Sequence, residues 1–229
     1  MTLYLDTADT KEIEAFSSII DGVTTTPTII KRDGATSEEF MSTVREKYPH
    51  LDVHLGALGK TAKDTEMVIE EFRKKSWYQE DKVVFKVPVS KDGLEATRAL
   101  KRKYPGVRIN LHMVFSSAQA TLAMYVGADF VSPLIGRYSA HVASLHKYGN
   151  RSSQYEAGRD MLSNIMACKR AAGSKSVILA SSIRTVHDFA MAAELCGADA
   201  ITTPPHILRQ ALEHPLTTHG VNQFWKDLT

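Results

Sequence analysis

Val83-Val84-Phe85-Lys86-Val87-Pro88-Val89 reads as a buried β-strand of β-branched and aromatic residues that carries a single lysine. An ammonium group in such a run must snorkel to water, pair with an anion, or shed its proton, because desolvation disfavours the charged form. A lysine held neutral is a nucleophile, and the reaction open to a nucleophilic amine is Schiff-base formation with a carbonyl. The strand raises the expectation of a lysine-dependent lyase or transferase acting on sugars. The plainer reading is a strand-end lysine that reaches solvent or an ion pair.

Similar strands recur along the chain. Candidates lie at residues 3–7, 22–27, 52–58, 83–89, 108–114, 129–135, 176–182 and 200–204. Stretches at 37–46, 65–74, 93–103, 117–126, 155–172, 185–195 and 206–213 place apolar residues at three- and four-residue spacing, the helical period. Strands alternating with helices imply parallel pairing through right-handed crossovers, and this number of units suits a closed (β/α)8 TIM barrel better than an open doubly wound sheet. No linker or low-complexity tract divides the 229 residues, so one barrel domain over 1–229 is expected. The longest irregular stretch, 136–153, follows the sixth strand, on the face where such barrels carry their active sites.

Composition excludes several partners. Hydrophobic residues make up 43% and charged residues 24%, as in an ordinary globule. The 28 Lys and Arg nearly balance 26 Asp and Glu and are dispersed, so neither nucleic acid nor a membrane surface is expected to bind. A small anionic metabolite needs only a local cluster. Cys168 and Cys196 fall in segments that read as helical, in a chain with no signal peptide and no apolar run long enough to span a bilayer. The expected compartment is a reducing cytoplasm, with both thiols as buried packing groups.

Strand alternation sorts side chains between the barrel interior and the helix layer. With Lys86, Val84 and Pro88 inward, Val83, Phe85, Val87 and Val89 pack under the helices. The same rule points Asp6, Thr24, Thr26, His54, Gly56, Asn110, His112, Ser132, Leu134 and Ser182 inward. A barrel filled only for stability carries Val, Ile and Leu in these layers, and each buried polar group without a partner costs roughly 1–3 kcal/mol. An acid, an amine, hydroxyls and imidazoles converging on one axis read more economically as an active site.

These residues also carry a resemblance. Leu3-Tyr4-Leu5-Asp6-Thr7-Ala8, Gly22-Val23-Thr24-Thr25 with Pro27-Thr28, Val84-Phe85-Lys86-Val87-Pro88 with Gly93-Leu94, Ala118-Gln119-Ala120, Gly127-Ala128 through Val131-Ser132-Pro133, Gly136-Arg137, Ala180-Ser181-Ser182-Ile183-Arg184 and the C-terminal Phe224-Trp225-Lys226-Asp227 occur in order and in register. Together they resemble the small-subunit transaldolase and fructose-6-phosphate aldolase family along essentially the whole chain. The resemblance implies a class I aldol mechanism with no metal or other cofactor, acting on a sugar phosphate. Lys86 matches the Schiff-base lysine. Its iminium with a ketose phosphate would permit C3–C4 cleavage and leave a dihydroxyacetone enamine, which attacks an acceptor aldehyde in a transaldolase and is protonated and hydrolysed in an aldolase. Asp6 matches the carboxylate that manages protons and positions donor hydroxyls. Arg137 and Ser182 match the residues that hold the substrate phosphate; Arg184 either assists them or faces solvent. Family members use the C-terminal tail, here about 218–229, to clasp a neighbouring subunit in rings of five or ten, so a homo-oligomer, pentamer or decamer, is expected.

The chain departs from the family at informative places. Thr26 stands where the pattern has Asn, Gly56 where it has Glu or Gln, His112 where it has Thr, and Leu134 where it has Tyr or Phe. Two of these changes remove groups that hold the catalytic water. An imidazole titrating near neutral pH can carry protons, so His112 is expected to replace the water relay as a catalytic group, with His54 a second candidate across the gap left by Gly56. Thr26, Asn110 and Ser132 complete the expected substrate-binding set. Transfer, aldol cleavage, a different donor, and a binding descendant without turnover all stay open.

Overall fold

The structure, a computed structural model, describes residues 1–145, 151–194 and 196–228, with residues 151–156 as backbone only. Eight parallel strands close into a barrel in chain order: β1 (Thr2–Asp6), β2 (Gly22–Thr24), β3 (Asp52–Gly56), β4 (Val83–Pro88), β5 (Arg108–Val114), β6 (Phe130–Pro133), β7 (Val177–Ala180) and β8 (Ala200–Thr203). Closure comes from β1 pairing with β8, Thr2 opposite Ala200 and Leu5 opposite Thr203. The barrel expected from alternation is thus the barrel observed.

The helices are α1 (Thr10–Phe16), α2 (Pro27–Arg32), α3 (Ser37–Lys47), α4 (Ala62–Arg73), α5 (Lys91–Lys103), α6 (Ser117–Tyr125), α7 (Ile135–Leu145), α8 (Arg151–Ala172), α9 (Val186–Glu194), α10 (Pro205–Leu212) and α11 (Pro215–Asp227). Hydroxyl caps start many of them: Thr36 and Thr61 close reciprocal capping boxes, and Ser90 and Ser116 cap α5 and α6. One expectation is corrected here. Most of the stretch 136–153 is not irregular, because α7 begins directly after β6 and α8 starts at Arg151; residues 146–150 lie outside the described residues. Gly136, Ser139 and Ser144 hide α7 from propensity. The expected helix over 185–195 ends at Glu194, which leaves Cys196 in a bend beyond it, and residue 195 is likewise outside the described set. Cys196 is buried, while Cys168 is only half-buried.

Two cores result. Val83, Phe85 and Val87 pack outward against the helices with the main apolar cluster. Inside the barrel, Tyr4, Val84, Phe130, Leu179 and Ala200 form a separate plug, all on the inward parity of their strands. This apolar floor occupies the N-terminal half of the barrel. The next inward layer, toward the C-terminal ends, is polar: Asp6, Thr24, Lys86, Asn110, Ser132 and Thr202 each follow a floor-level residue by two positions.

Candidate active site

β4 carries Lys86 between Gly56 of β3 and Asn110 of β5 in the barrel register. The residue is only 7% exposed. Burial pushes its ammonium below the ordinary lysine value, and the charge of Asp6 opposes that shift without cancelling it. Among the described residues no carboxylate lies within ion-pair distance of its Nζ.

A cavity of about 490 Å³ opens above the amine at the C-terminal ends of the strands. Asp6, Thr26, Lys86, His112, Ser132, Arg137 and Ser182 all line it. A larger cavity, about 780 Å³, lies at the opposite end of the barrel, where Arg108, Phe130 and Val177 begin their strands. There Lys101 is paired with Asp129 at 2.9 Å and Arg108 with Asp52 at 2.7 Å, whereas the smaller cavity holds the buried lysine and is the candidate site. The described residues contain no group of three His, Cys, Asp or Glu side chains arranged to hold a metal ion.

Hydroxyl protons can be placed from the bonding pattern. Ser132 donates to Asn110 Oδ1 at 2.8 Å, and Asn110 Nδ2 bonds His54 Nδ1 at 2.9 Å. The amide can only donate in that second contact, so His54 Nδ1 accepts and its proton sits on Nε2. Nε2 has no hydrogen-bond partner among the described residues, and the ring stands edge-on between Tyr4 and Phe130, 4.8 and 4.6 Å between centroids. Burial holds His54 neutral, well below its ordinary value. Asn110 and His54 therefore lie beneath the cavity and support it through Ser132, which meets the cavity with its lone pairs.

Gly56 leaves no gap for His54 to work across. A Cβ placed there would meet Pro27 Cδ at 2.8 Å, so the proline ring fills the space a longer side chain would need. Thr26 also differs from its expected place on β2. It caps α2, with its Oγ1 accepting from the Ile29 N–H at 3.2 Å, and its hydroxyl proton stays free for the cavity.

Among the described residues, two non-glycine residues have positive φ, Met113 at 63° and Ser182 at 62°, and both line the cavity. Such backbone costs roughly 1–3 kcal/mol and is held only by the surrounding structure. The register shifts between His112 and Val114, which brings Met113 to the mouth beside Arg137, whose Nη1 is 3.7 Å from the Met113 Sδ. Alternation along β7 points Leu179 and Ser181 inward; Ser182 reaches the cavity because the chain has left the strand and turned left-handed. Gly136 lets this turn approach α7, since a Cβ would lie 2.2 Å from the Ser182 carbonyl oxygen. Arg184 does not line the cavity; its side-chain stem covers Gly136 and its N–H donates to Asp188.

His112 differs in state from the expectation of an imidazole titrating near neutrality. Burial first, then the charges of Lys86 and Arg137, push it down to about 3. Its imidazole is therefore neutral near pH 7. Sequence reasoning missed Ser181 and Thr202, both buried and both on the cavity wall; the inward parity of β7 and β8 is the signal that finds them.

The chain matches the family model described as Transaldolase/Fructose-6-phosphate aldolase over residues 3–228. It is 33% identical over 231 residues to a protein of Streptococcus equi subsp. equi named "Probable transaldolase", covering 99% of this chain and 97% of that protein. A "Probable transaldolase" from a Caulobacter species is 35% identical, with coverage of 99% and 96%. One from Methanococcus maripaludis is 31% identical, with coverage of 99% and 97%.

The state of His112 has a thermodynamic signature. The unfolded chain protonates it below its ordinary value, about 6.5, whereas the folded protein waits until about 3. Between those values the unfolded state binds more protons, so stability falls as pH drops through the window. In urea unfolding, His112→Thr should lose less stability than the wild type between about pH 7 and pH 4.5. Equal losses would show that the folded protein protonates His112 normally.

Proposed function

Because this chain belongs to the transaldolase/fructose-6-phosphate aldolase family, we propose that it transfers a dihydroxyacetone unit from a ketose phosphate of the fructose 6-phosphate type through a Schiff base on Lys86. The observation that carries this reading is the enclosed amine, desolvated at the base of a polar cavity with Asp6 as the neighbouring acid. The amine adds to the C2 carbonyl and loses water to give an iminium. The C3–C4 bond then breaks with its electron pair flowing to the iminium nitrogen, Asp6 takes the C4 hydroxyl proton, and an aldehyde departs. The enamine attacks an acceptor aldehyde, whose oxygen recovers a proton from Asp6, and hydrolysis frees the lysine.

The remaining groups suit the rest of such a substrate. Thr26 can donate to a sugar oxygen, while Ser132, its own proton given to Asn110, accepts from a sugar hydroxyl. Arg137 and Ser182 provide a guanidinium fork and a hydroxyl for the phosphate. His112, neutral, bonds to the intermediate without adding a third positive charge beside Lys86 and Arg137. A cytoplasmic setting accords with two cysteines left as free thiols, and no helix among the described residues is long and apolar enough to cross a membrane.

Borohydride reduction in the presence of fructose 6-phosphate tests the proposal. The wild type should gain mass on the peptide containing Lys86, and Lys86→Met, which keeps the volume but not the amine, should gain none and lose turnover. An unlabelled wild-type peptide would remove the Schiff base. Labelling with release of free dihydroxyacetone and no transfer would assign the aldolase reaction, and labelling without turnover a binding role.

We also propose that α11 clasps a second copy of the chain. Val221, Phe224, Trp225 and Leu228 follow the spacing of one helical face, no residue of α11 is buried, and Phe224 and Trp225 are 69% and 66% exposed. Truncation after Gly220 should shrink the particle seen by light scattering to a smaller oligomer or a monomer. An unchanged number of subunits would overturn the clasp.

A further inference from the structure

Asp6 is not isolated behind the amine. Thr24 Oγ1 donates to Asp6 Oδ1 at 2.7 Å, and the same Thr24 oxygen lies 2.6 Å from Thr202 Oγ1. Both threonines are buried, at 0% and 2% exposure, and Thr202 also reaches the cavity wall. β1 lies between β2 and β8, with Asp6 in register with Thr24 and Tyr4 with Thr202, so the three side chains converge from adjacent strands inside the barrel.

A hydroxyl carries one proton. Thr24 gives its proton to Asp6, so the proton in the short contact must come from Thr202, and Thr202 is left with lone pairs free on the cavity side. The row is oriented: Thr202 donates to Thr24, and Thr24 donates to the carboxylate. Once Asp6 has been protonated the row can reverse, Asp6 donating to Thr24, Thr24 to Thr202, and Thr202 to the alkoxide formed when the enamine attacks the acceptor aldehyde, which thus recovers the Asp6 proton through the row. One proton enters at Asp6 and one leaves at Thr202, with no change in charge along the way.

We propose that Thr24 and Thr202 form a hydroxyl relay that passes the Asp6 proton from β1, by way of β2, to the cavity face of β8. This rests on the proposed role of Asp6 in aldol cleavage. It gives the chain a path for protons where Pro27 fills the space beside Gly56 and His112 is held neutral. Thr24 is a positioning residue in this account, since it acts through Asp6, and Thr202 is the end of the row that meets the cavity.

Thr202→Val is the discriminating change, because valine keeps the β-branched shape and leaves the Thr24–Asp6 bond intact. Borohydride trapping at Lys86 reports the amine, and turnover in H2O/D2O mixtures reports protons in flight. The relay predicts that Thr202→Val traps within about twofold of wild type, yet turns over about tenfold more slowly, the rate equivalent of one neutral hydrogen bond. The wild-type proton inventory should bow and that of Thr202→Val should be linear, with Thr202→Ser restoring both rate and curvature. Turnover and inventory unchanged in Thr202→Val, or no rescue by serine, would overturn the relay. Absence of trapping in the wild type would overturn the Schiff-base reading itself, and the relay with it.

Discussion

Removing one ammonium group from water is the constraint on which this site depends. Closing eight strands into a barrel places Lys86 between neighbours that offer it no ion pair, and burial lowers its proton affinity. A surface lysine at the same position in the sequence would be an ordinary cation. Asp6 is near enough to be felt and too far to pin the amine as a salt bridge, which is what the proposed reaction needs of both: an amine to attack and a carboxylate to take a proton.

The barrel interior is divided to make this possible. Its floor is an apolar plug built on Tyr4, Val84, Phe130 and Leu179, which excludes water from below. Above it, two hydrogen-bonded rows join inward side chains: Ser132–Asn110–His54, which runs down from the polar layer to the floor, and Thr202–Thr24–Asp6. The first ends in a neutral imidazole among aromatic rings and fixes how Ser132 meets the cavity. The second ends at the carboxylate. Satisfying buried polar groups in rows fixes the direction of each hydroxyl, and with it what each can offer a substrate.

Much of this was legible in the sequence because two periodicities carry it. Alternation along the strands identified the barrel, the inward lysine and most of the cavity wall. It failed where the backbone leaves the strand: Ser182 arrives through a left-handed turn, Thr26 through a helix cap, and Met113 through a register shift. Helix α7 is hidden from propensity because its glycine and serines resemble loop chemistry. The loss of a side chain at Gly56 looked like a vacancy, since one strand does not reveal that Pro27 from the next turn fills the space. The protonation of His112 was also beyond reach, because it depends on two cations placed by other elements.

The central claim concerns the proton on Lys86, and its titration tests that most directly. Lysine side-chain NMR on the intact protein should show one resonance titrating below 10.5, the ordinary lysine value, and absent from Lys86→Met. It should titrate lower still in Asp6→Asn, because the carboxylate is the charge that opposes the desolvation. A Lys86 resonance that titrates with the surface lysines, unmoved by Asp6→Asn, would contradict the account.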